Sequence, residues 1–513
     1  MASVAESRER SQRAFLRASG IIGILTLLSR LAGFVREALI AKTFGTTATG
    51  SALVVAQTVP NLARSLVSED VAQGALVPRL GRLLEQGDDQ QATRVAMWTA
   101  AFATFFLVAV SGAMLIAAHS IVRLTAPGEG DAFAVEAAPL LKLMLPAVCI
   151  NGVLAASSAF LTAHRGFAAV GAGAFVSNVP ILVLLLVGTS SAEAVAVTLA
   201  LGYVGQGVYL IVAARRYRGP RIATRPVPWR ELRRVGGLAV PVMFSLGLAS
   251  LSGVVDVAFS TLAGTGGPAA LDKAFRLVMV PYGVFAMAIG IVALPNMVRE
   301  AITGGAAFDR EVMRATRLQA VILVPLAVAT GCFATEFVRI AYERGEFDAA
   351  STALTADALI GVSFALPALG LSMVATRSWL SRQKPWVPAR LAMLGLLANA
   401  GLNAALVGPL GVAGIGISTA IVHGTIGSVL IVSGAASKGA IVRELRGFAI
   451  RFGIAVLAGV LAGWLTFSLA GGLPEIAAAG ASVAVGSLAL VAIASFVRLP
   501  DYGEMAAAFR RRG

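Results

Sequence analysis

The sequence predicts an all-α polytopic membrane protein with about fourteen transmembrane helices. Hydrophobic residues make up 57% of its 513 positions and charged residues only 13%, whereas about 25% of the residues in a soluble domain are charged. Apolar runs of about 20 residues, the length that spans a bilayer as a helix, recur along the whole chain. These runs lack the alternation of β-barrel strands, and a helix satisfies all its backbone hydrogen bonds within lipid.

The predicted spans follow one another with short polar connections, which leave no soluble domain of useful size. The mean hydropathy of the chain is +0.81, in agreement with this prediction. The predicted spans are residues 18–44, 49–78, 95–123, 133–160, 167–188, 191–214, 235–264, 270–297, 314–341, 352–380, 387–408, 410–434, 448–470 and 475–497.

The basic residues fall in alternate connections between these spans. The formal net charge of +15 is also typical of nucleic-acid-binding proteins, but the positive residues form no single patch, so we expect no nucleic-acid partner. Basic connections, such as the one from Arg215 to Arg234, alternate with acidic or uncharged ones, such as the one with Glu129 and Asp131. By the positive-inside rule both termini are expected in the cytoplasm, as an even number of spans requires.

An internal repeat divides the first twelve predicted spans into two six-helix lobes. SSAFLTAHRGF from Ser157 matches TRSWLSRQKPW from Thr376, and VPN from Val59 matches VPY from Val280. Both offsets are about 220 residues, which predicts a parallel pseudo-twofold repeat along the membrane normal. The predicted domains are an N-lobe (1–214), a basic amphipathic inter-lobe linker (215–234), a C-lobe (235–435) and a C-terminal pair of helices (436–513).

The C-terminal pair of helices has no counterpart in the repeat. Its first span carries a GxxxG pattern, Gly459 with Gly463. This spacing is typical of close packing against another helix, but it also arises by chance in spans rich in glycine and alanine. Both interpretations stay open at this point.

No motif of a familiar enzyme class occurs in the sequence. It has no GxxxxGK[ST] loop, and the glycines at Gly411, Gly414 and Gly416 precede no Rossmann unit. The histidines lack partners at metal-ligand spacing, while Cys149 and Cys332 lie in separate apolar runs, which argues against a disulfide. We therefore expect a transporter without a bound metal or cofactor.

Charged residues inside apolar spans are the candidate functional residues. An arginine at the centre of a span costs about 2.5–3.5 kcal/mol, which a few leucines barely offset, so such residues usually face a protein-lined or aqueous interior. Converging arginines would bind the oxygens of a phosphorylated headgroup in a cavity between the lobes, with carboxylates as counter-charges. The alternative is that each arginine reaches the interface or forms a structural ion pair. The cations are Arg30, Arg36, Arg64 and Arg276, and the counter-charges include Glu37, Glu69 and Asp256.

A second group of polar residues lies in the seventh, eleventh and twelfth predicted spans. Asn399 and Asn403 are four residues apart and share one helix face, with Asp256 and Thr419 in the neighbouring spans. Oxygen ligands of this kind suit a sodium ion or a proton relay. Polar residues that join helices by hydrogen bonds are an equally good interpretation.

Four segments of the sequence resemble the MurJ (MviN) lipid II flippase family, a branch of the multidrug/oligosaccharidyl-lipid/polysaccharide exporter superfamily. The resemblance covers essentially the whole chain and does not depend on one short motif. The segments are SRLAGFVREALIAKTFG from Ser29, VPNLARSLVSEDVAQGALVP from Val59, YERGEFDAASTALTADAL from Tyr342 and KPWVPARLAMLGLLANAGLNAALVGPLGVAGIGIS from Lys384.

The resemblance implies a fourteen-helix flippase in the bacterial cytoplasmic (inner) membrane. It would move lipid II, the undecaprenyl-diphosphate-linked peptidoglycan precursor, to the periplasmic leaflet by alternating access. The resemblance also implies that the C-terminal pair of helices forms a groove for the lipid tail. By motif, the headgroup-binding residues would be Arg30, Arg36, Arg64 and Arg276, and the gating or counter-charge residues would be Ser29, Glu37 and Glu69.

The sequence departs from the family pattern at two places. Ser51 stands where the family often has an aspartate, and the usual EGA motif reads Glu69, Asp70, Val71. Membrane potential, Na⁺ or H⁺ could drive transport. We expect a monomer that contacts membrane lipids, with cell-wall synthesis proteins as candidate partners. The alternatives are an exporter of another polyprenyl-linked oligosaccharide or of drugs, and a membrane-embedded polyprenyl-phosphate transferase.

Overall fold

The computed structural model describes residues 28–188, 191–217, 226–469 and 475–496. These residues are almost entirely helical, and none of them is in a β-strand. Contacts divide the chain into two compact units. The first contains Met1–Ala269 and Arg344–Asp348, and the second contains Ala270–Glu343 and Ala349–Gly513.

Helices α1 to α11 belong to the first unit. Side chains cap several of their N-termini: Thr47 accepts from the Gly50 N–H, and Ser68 accepts from the Val71 N–H. The bounds are 28–44 (α1), Ala48–Leu66 (α2), Glu69–Ala75 (α3), Val77–Glu85 (α4), Asp89–Thr125 (α5), Asp131–Cys149 (α6), Asn151–Ala163 (α7), Phe167–Val176 (α8), Val179–Leu186 (α9), Ala192–Arg215 (α10) and Trp229–Ser260 (α11).

Two apolar clusters hold the first unit together. One joins α1 and α2 to α5 and α6 around Leu53, Leu107 and Leu141. The other joins α4 to α7 and α10 around Leu80, Leu161 and Leu210, and it includes Val227 and Val235 at the start of α11. Helices α1, α2 and α3 are therefore packed against these buried apolar clusters.

Helices α12 to α20 belong to the second unit, except for the first three residues of α12, 267–269. A π-helical turn, Tyr282–Ala286, separates α12 from α13 directly after Pro281. The long helix α18 consists of two helices joined at Gly411, whose φ of 55° is accessible to glycine. The bounds are Gly267–Pro281 (α12), Met287–Thr303 (α13), Gly305–Cys332 (α14), Ala334–Tyr342 (α15), Ala349–Ser363 (α16), Ala365–Ser381 (α17), Trp386–Gly434 (α18), Lys438–Leu469 (α19) and Glu475–Phe496 (α20).

Helices α19 and α20 pack closely through small residues. A Cβ on Gly459 would lie 2.8 Å from the carbonyl oxygen of Gly486, and one on Gly463 would lie 3.0 Å from the carbonyl oxygen of Ser482. Both distances are too short for a side chain larger than hydrogen. The packing interpretation of the GxxxG pattern is thus confirmed.

The all-α polytopic fold class is confirmed for the described residues. Ten helical segments among them are long and apolar enough to cross a membrane, so the count of fourteen spans stays a prediction. The first predicted span begins at residue 18, and residues 1–27 lie outside the described part, as do 218–225 of the predicted linker and 497–513 at the C-terminus.

Several predicted spans are divided between two helices, and two of them show the cause in the local sequence. The predicted span 49–78 ends its first helix at Leu66, because Val67 leaves the helical conformation and Ser68 caps a new helix. The predicted span 167–188 breaks at Ser177 and Asn178, just before Pro180 at the start of α9. Proline lacks the N–H that would continue the first helix.

The compact units and the repeat-based domains have different boundaries. The repeat assigns α11 to the second lobe, whereas contacts with α2 and α3 place it in the first compact unit. Repeats reflect similar sequence and compact units reflect packing, so they need not coincide. The domains 1–214, 215–234, 235–435 and 436–513 stay a prediction.

Candidate functional site

Arg36 on α1 is held by a buried carboxylate and a buried amide. Its Nε and Nη2 donate to Glu37 Oε1 over 3.1 and 2.8 Å, and its Nη1 donates to Asn178 Oδ1 over 3.0 Å. Glu37 is only 4% exposed and Asn178 only 5%. The Arg36 side chain keeps 18% of its exposure, so the guanidinium is oriented yet still accessible to a ligand.

The break between α8 and α9 positions Asn178 for this contact. Asn178 occupies the residue before α9, and its Nδ2 donates to the Ala174 carbonyl of the preceding helix over 3.1 Å. This bond fixes the amide so that its oxygen faces Arg36. The sequence analysis gave no indication of this contact, because Asn178 and Arg36 are 142 residues apart in the chain.

Ser29 and Arg30 lie in the first turn of the described part of α1. Arg30 is exposed and Ser29 is partly buried. Six residues separate Arg30 from Arg36, which places the two side chains on different faces of the helix, about 120° apart. Helix geometry therefore separates the side chains of Arg30 and Arg36 around α1.

Arg64 lies near the end of α2 above an aromatic ring. Its Cζ is 3.5 Å from the centroid of the Tyr203 ring, a cation–π contact, and its Nη1 donates to Asn61 Oδ1 over 3.3 Å. Asn151 Nδ2 donates to the Arg64 carbonyl over 2.9 Å and also to the Val67 carbonyl. This amide satisfies two carbonyls where α2 ends, and so fixes the backbone that carries Arg64.

Glu69 begins α3 and forms part of a polar cluster with α7 and α10. Ser158 Oγ donates to Glu69 Oε2 over 3.2 Å, and Gln206 Nε2 donates to Glu69 Oε1 over 3.1 Å. Both donors are uncharged. Each oxygen of Glu69 thus accepts a hydrogen bond from an uncharged side chain on a neighbouring helix.

Arg276 lies in the second unit, on α12, beside a carboxylate that it shares with a lysine. Its Nε donates to Asp272 Oδ2 over 2.8 Å, and Lys273 Nζ donates to the same oxygen over 3.1 Å. The Lys273 side chain is 4% exposed and that of Arg276 is 33% exposed. The segment LDKAFR contains all three charged residues within an apolar span. The sequence analysis selected only Arg276 among them.

The predicted cation-site residues divide between the two units. Asp256 is 6% exposed in α11 of the first unit, while Asn399 and Asn403 are 1% and 0% exposed in α18 of the second. Ser418 Oγ donates to Asn399 Oδ1 over 2.9 Å, and Thr419 Oγ1 donates to the Ile415 carbonyl over 3.1 Å. Ser418 is the residue that links the two halves of α18, and the sequence analysis did not select it.

Arg377 on α17 is a further charged residue that the sequence analysis missed. Its guanidinium packs against Gly290 of α13: a Cβ there would lie 2.9 Å from Arg377 Cζ. Among the described residues, no carboxylate pairs with this guanidinium. The segment TRSWLSRQKPW contains Arg377, but close contact with a distant glycine has no signature in the local sequence.

An open apolar groove runs between α14, α15, α19 and α20 in the second unit. It has a volume of about 460 Å³, and its walls include Pro325, Cys332 and Phe333 on one side and Trp464 and Phe467 on the other. Phe333 and Phe467 meet edge to face, with ring centroids 5.9 Å apart. The dimensions and lining suit a hydrocarbon chain.

Comparisons with characterised protein families identify the chain. A family model described as "Lipid II flippase MurJ" matches residues 40–476. A "Probable lipid II flippase MurJ" of Rhizobium meliloti (strain 1021) is 28% identical over 422 residues, which cover 80% of this chain and 78% of the relative. The "Lipid II flippase MurJ" of Burkholderia cenocepacia is 26% identical over 443 residues, or 83% of this chain and 84% of the relative.

Solved structures agree in fold. "Lipid II flippase MurJ, inward closed conformation" superposes with a TM-score of 0.76 at 19% identity, covering 93% of this chain and 98% of the other. An inward-facing multidrug resistance MATE family transporter of the MOP superfamily gives a TM-score of 0.67 at 15% identity, covering 82% and 98%. The family model matches more than half of the chain, and the chain therefore belongs to the MurJ lipid II flippase family.

Proposed function

We propose that this protein is a lipid II flippase of the bacterial inner membrane, a multi-pass transporter rather than an enzyme. It moves the undecaprenyl-diphosphate-linked peptidoglycan precursor from the cytoplasmic to the periplasmic leaflet by alternating access. The observation that carries the proposal is the family match over residues 40–476. Because distantly related MATE transporters share the fold, the substrate must be argued from the site residues.

The arginines favour an anionic lipid over a cationic drug. A guanidinium presents a planar fork of donors that matches a phosphate group, and the bonds are charge-assisted. Arg36 is oriented by Glu37 and Asn178 and retains exposure. We assign Arg30, Arg36, Arg64 and Arg276 to binding of the diphosphate headgroup.

The carboxylates act as exchangeable counter-ions. Glu37 pairs with Arg36, and Asp272 pairs with both Arg276 and Lys273. When a diphosphate takes over the guanidinium, each carboxylate is released to another partner. We propose that this exchange, together with Ser29, Glu37 and Glu69, couples headgroup binding to gating.

The membrane potential is a sufficient energy source for moving the headgroup across the membrane. Two negative charges that move outward across about 100 mV, inside negative, gain about 4–5 kcal/mol. A sodium ion or proton at Asp256, Asn399, Asn403 and Thr419 would add a second source. Asp256→Asn should then abolish dependence on the cation but spare headgroup binding, whereas unchanged translocation after collapse of the potential would exclude the first source.

We further propose the finer features of the architecture. The protein has fourteen spans with both termini in the cytoplasm, two six-helix lobes joined by the basic linker, and a C-terminal pair of helices. The alternation of basic connections along the chain supports this topology. It works as a monomer in contact with membrane lipids, alongside cell-wall synthesis proteins.

The apolar groove is the proposed site of the polyprenyl tail. Its volume and lining support this assignment, and Cys332, an exposed thiol in its wall, is a reporter. In a Cys149→Ala background, lipid II should slow modification of Cys332 by a membrane-permeant maleimide. Modification at the same rate with and without lipid II would refute the assignment.

Complementation tests the function as a whole. The wild-type chain should restore growth to a bacterium depleted of its flippase, and Arg36→Ala should not, because the headgroup loses an oriented guanidinium. Arg123→Ala is the matched control, since Arg123 is an exposed arginine paired with Asp131 outside the site. Failure of the wild type to complement, with normal membrane insertion, would refute the proposal.

A further inference from the structure

The apolar groove contains one charged side chain, Glu336. The other described residues in its lining are apolar or small, apart from Ser482. Among the described residues, none forms a hydrogen bond or ion pair with the Glu336 carboxylate. Polyisoprene has no group that could bind a carboxylate, so the proposed tail does not explain this residue.

Glu336 lies in the first turn of α15. The N-terminal half of α14 carries Arg310, Arg314 and Arg317. Arg317 Nη1 donates to a carboxylate oxygen of Glu444 on α19 over 3.0 Å. Fifteen residues of helix, or about 22 Å, separate Arg317 from Cys332 in the groove wall. These three arginines are not among the described residues that line the groove, whereas Glu336 is.

An exposed tryptophan lines the groove on the α19 side. Trp464 is 67% exposed, and tryptophan is enriched where a membrane meets water. An indole face attracts a cation, and a carboxylate accepts its hydrogen bonds. Glu336 and Trp464, which both line the groove, are therefore the two kinds of group that recognise an ammonium ion.

We propose that the groove is a binding site for a phospholipid with a primary ammonium headgroup. An acyl chain fills the groove, and the ammonium donates to Glu336 beside Trp464. A trimethylammonium headgroup would keep the contact with the indole but has no N–H to donate. A headgroup with only negative charge would be repelled by Glu336.

The phospholipid and the tail of lipid II would exclude one another from this groove. Lipid II must then displace a bound phospholipid before its tail can enter. Only this last step rests on the proposed function. Binding of the phospholipid itself is measurable without lipid II.

Retained lipid in defined bilayers tests the proposal. The full chain is reconstituted in nanodiscs with equal amounts of phosphatidylethanolamine, phosphatidylcholine and phosphatidylglycerol of identical acyl chains, and released protein is weighed by native mass spectrometry. We expect phosphatidylethanolamine to be retained about fivefold more than phosphatidylglycerol, or about 1 kcal/mol. Glu336→Gln should reduce this ratio to about one.

The controls separate recognition from a general effect of charge or folding. Glu193→Gln removes an exposed carboxylate that is bonded to Ser191 outside the groove, and it should keep the fivefold ratio. Cys332→Phe narrows the groove and should lower retention of all three lipids. Equal retention of the three lipids by the wild type, or an unchanged ratio in Glu336→Gln, would overturn the proposal and leave the flippase assignment untouched.

Discussion

Replacing Glu37 with glutamine should make the protein bind its substrate more tightly and transport it more slowly. Glutamine keeps an oxygen that can accept from Arg36 but removes the negative charge. In the wild type, a diphosphate must displace this carboxylate, which accepts two N–H bonds from the guanidinium at 3.1 and 2.8 Å. In Glu37→Gln the competing acceptor is neutral and weaker.

The size of the effect follows from the difference between the two acceptors. A hydrogen bond to a charged group contributes about 1.5–3 kcal/mol net and a neutral one about 0.5–1.5. The Arg36 side chain is 18% exposed, so water screens part of the pair. We take a difference of about 1.4 kcal/mol, which corresponds to a tenfold gain in affinity.

Two assays measure the two halves of this prediction. Binding of lipid II to purified protein, by native mass spectrometry, should strengthen about tenfold. Translocation in proteoliposomes should slow at saturating lipid II, because no carboxylate is present to reclaim Arg36 at release. Weaker binding by Glu37→Gln than by wild type would refute the exchange of partners at Arg36.

Matched variants distinguish the exchange from an effect of net charge. Glu136→Gln removes an exposed carboxylate that accepts from Thr49, and it should leave affinity and rate unchanged. Adding Arg36→Ala to Glu37→Gln should cancel the gain, since the freed guanidinium is its source. An equal gain in Glu136→Gln would show that net charge alone sets affinity.

Three further predictions concern other parts of the structure. Ser51 is fully buried, and its hydroxyl has no hydrogen-bond partner among the described residues. Ser51→Ala should therefore leave complementation intact and should not lower the unfolding temperature. A clear drop in the unfolding temperature would contradict this and would show that the hydroxyl forms a stabilising hydrogen bond. Gly459→Leu should separate α19 from α20, because its Cβ lies 2.8 Å from the Gly486 carbonyl oxygen, and the amount of co-purified phospholipid should fall; unchanged lipid content would contradict this. Asp272→Asn should destabilise the protein more than Lys273→Met, because one Asp272 oxygen serves two cations; the order of their unfolding temperatures in detergent checks this.

The sequence was sufficient for the fold class and for one packing detail. Hydropathy predicts helices of membrane-spanning length because burial in lipid leaves few other backbone conformations. The spacing of Gly459 and Gly463 suggested close packing against another helix, because small residues allow two helices to approach closely, and the structure shows that this helix is α20. Both predictions rest on properties of a local stretch of chain.

Features that depend on partners distant in sequence could not be predicted in this way. Asn178 contacts Arg36 across 142 residues, and the contact requires a helix break that average hydropathy does not detect. The same limit applies to Arg377, whose position depends on the absence of a side chain at Gly290. Local patterns give the residue types of the site, whereas tertiary packing decides which of them meet.

The structure shows a common arrangement at its two main arginine sites. Arg36 and Arg276 each have a carboxylate at 2.8 Å, yet each keeps part of its surface exposed, 18% and 33% respectively. A fully buried pair would resist a ligand, since breaking such a pair costs about 3–5 kcal/mol. A bare arginine would bind a diphosphate too tightly to release it. We propose that partial exposure with a resident carboxylate lets the substrate and the protein compete for the same guanidinium, as a transporter needs in order to bind its cargo on one side of the membrane and release it on the other.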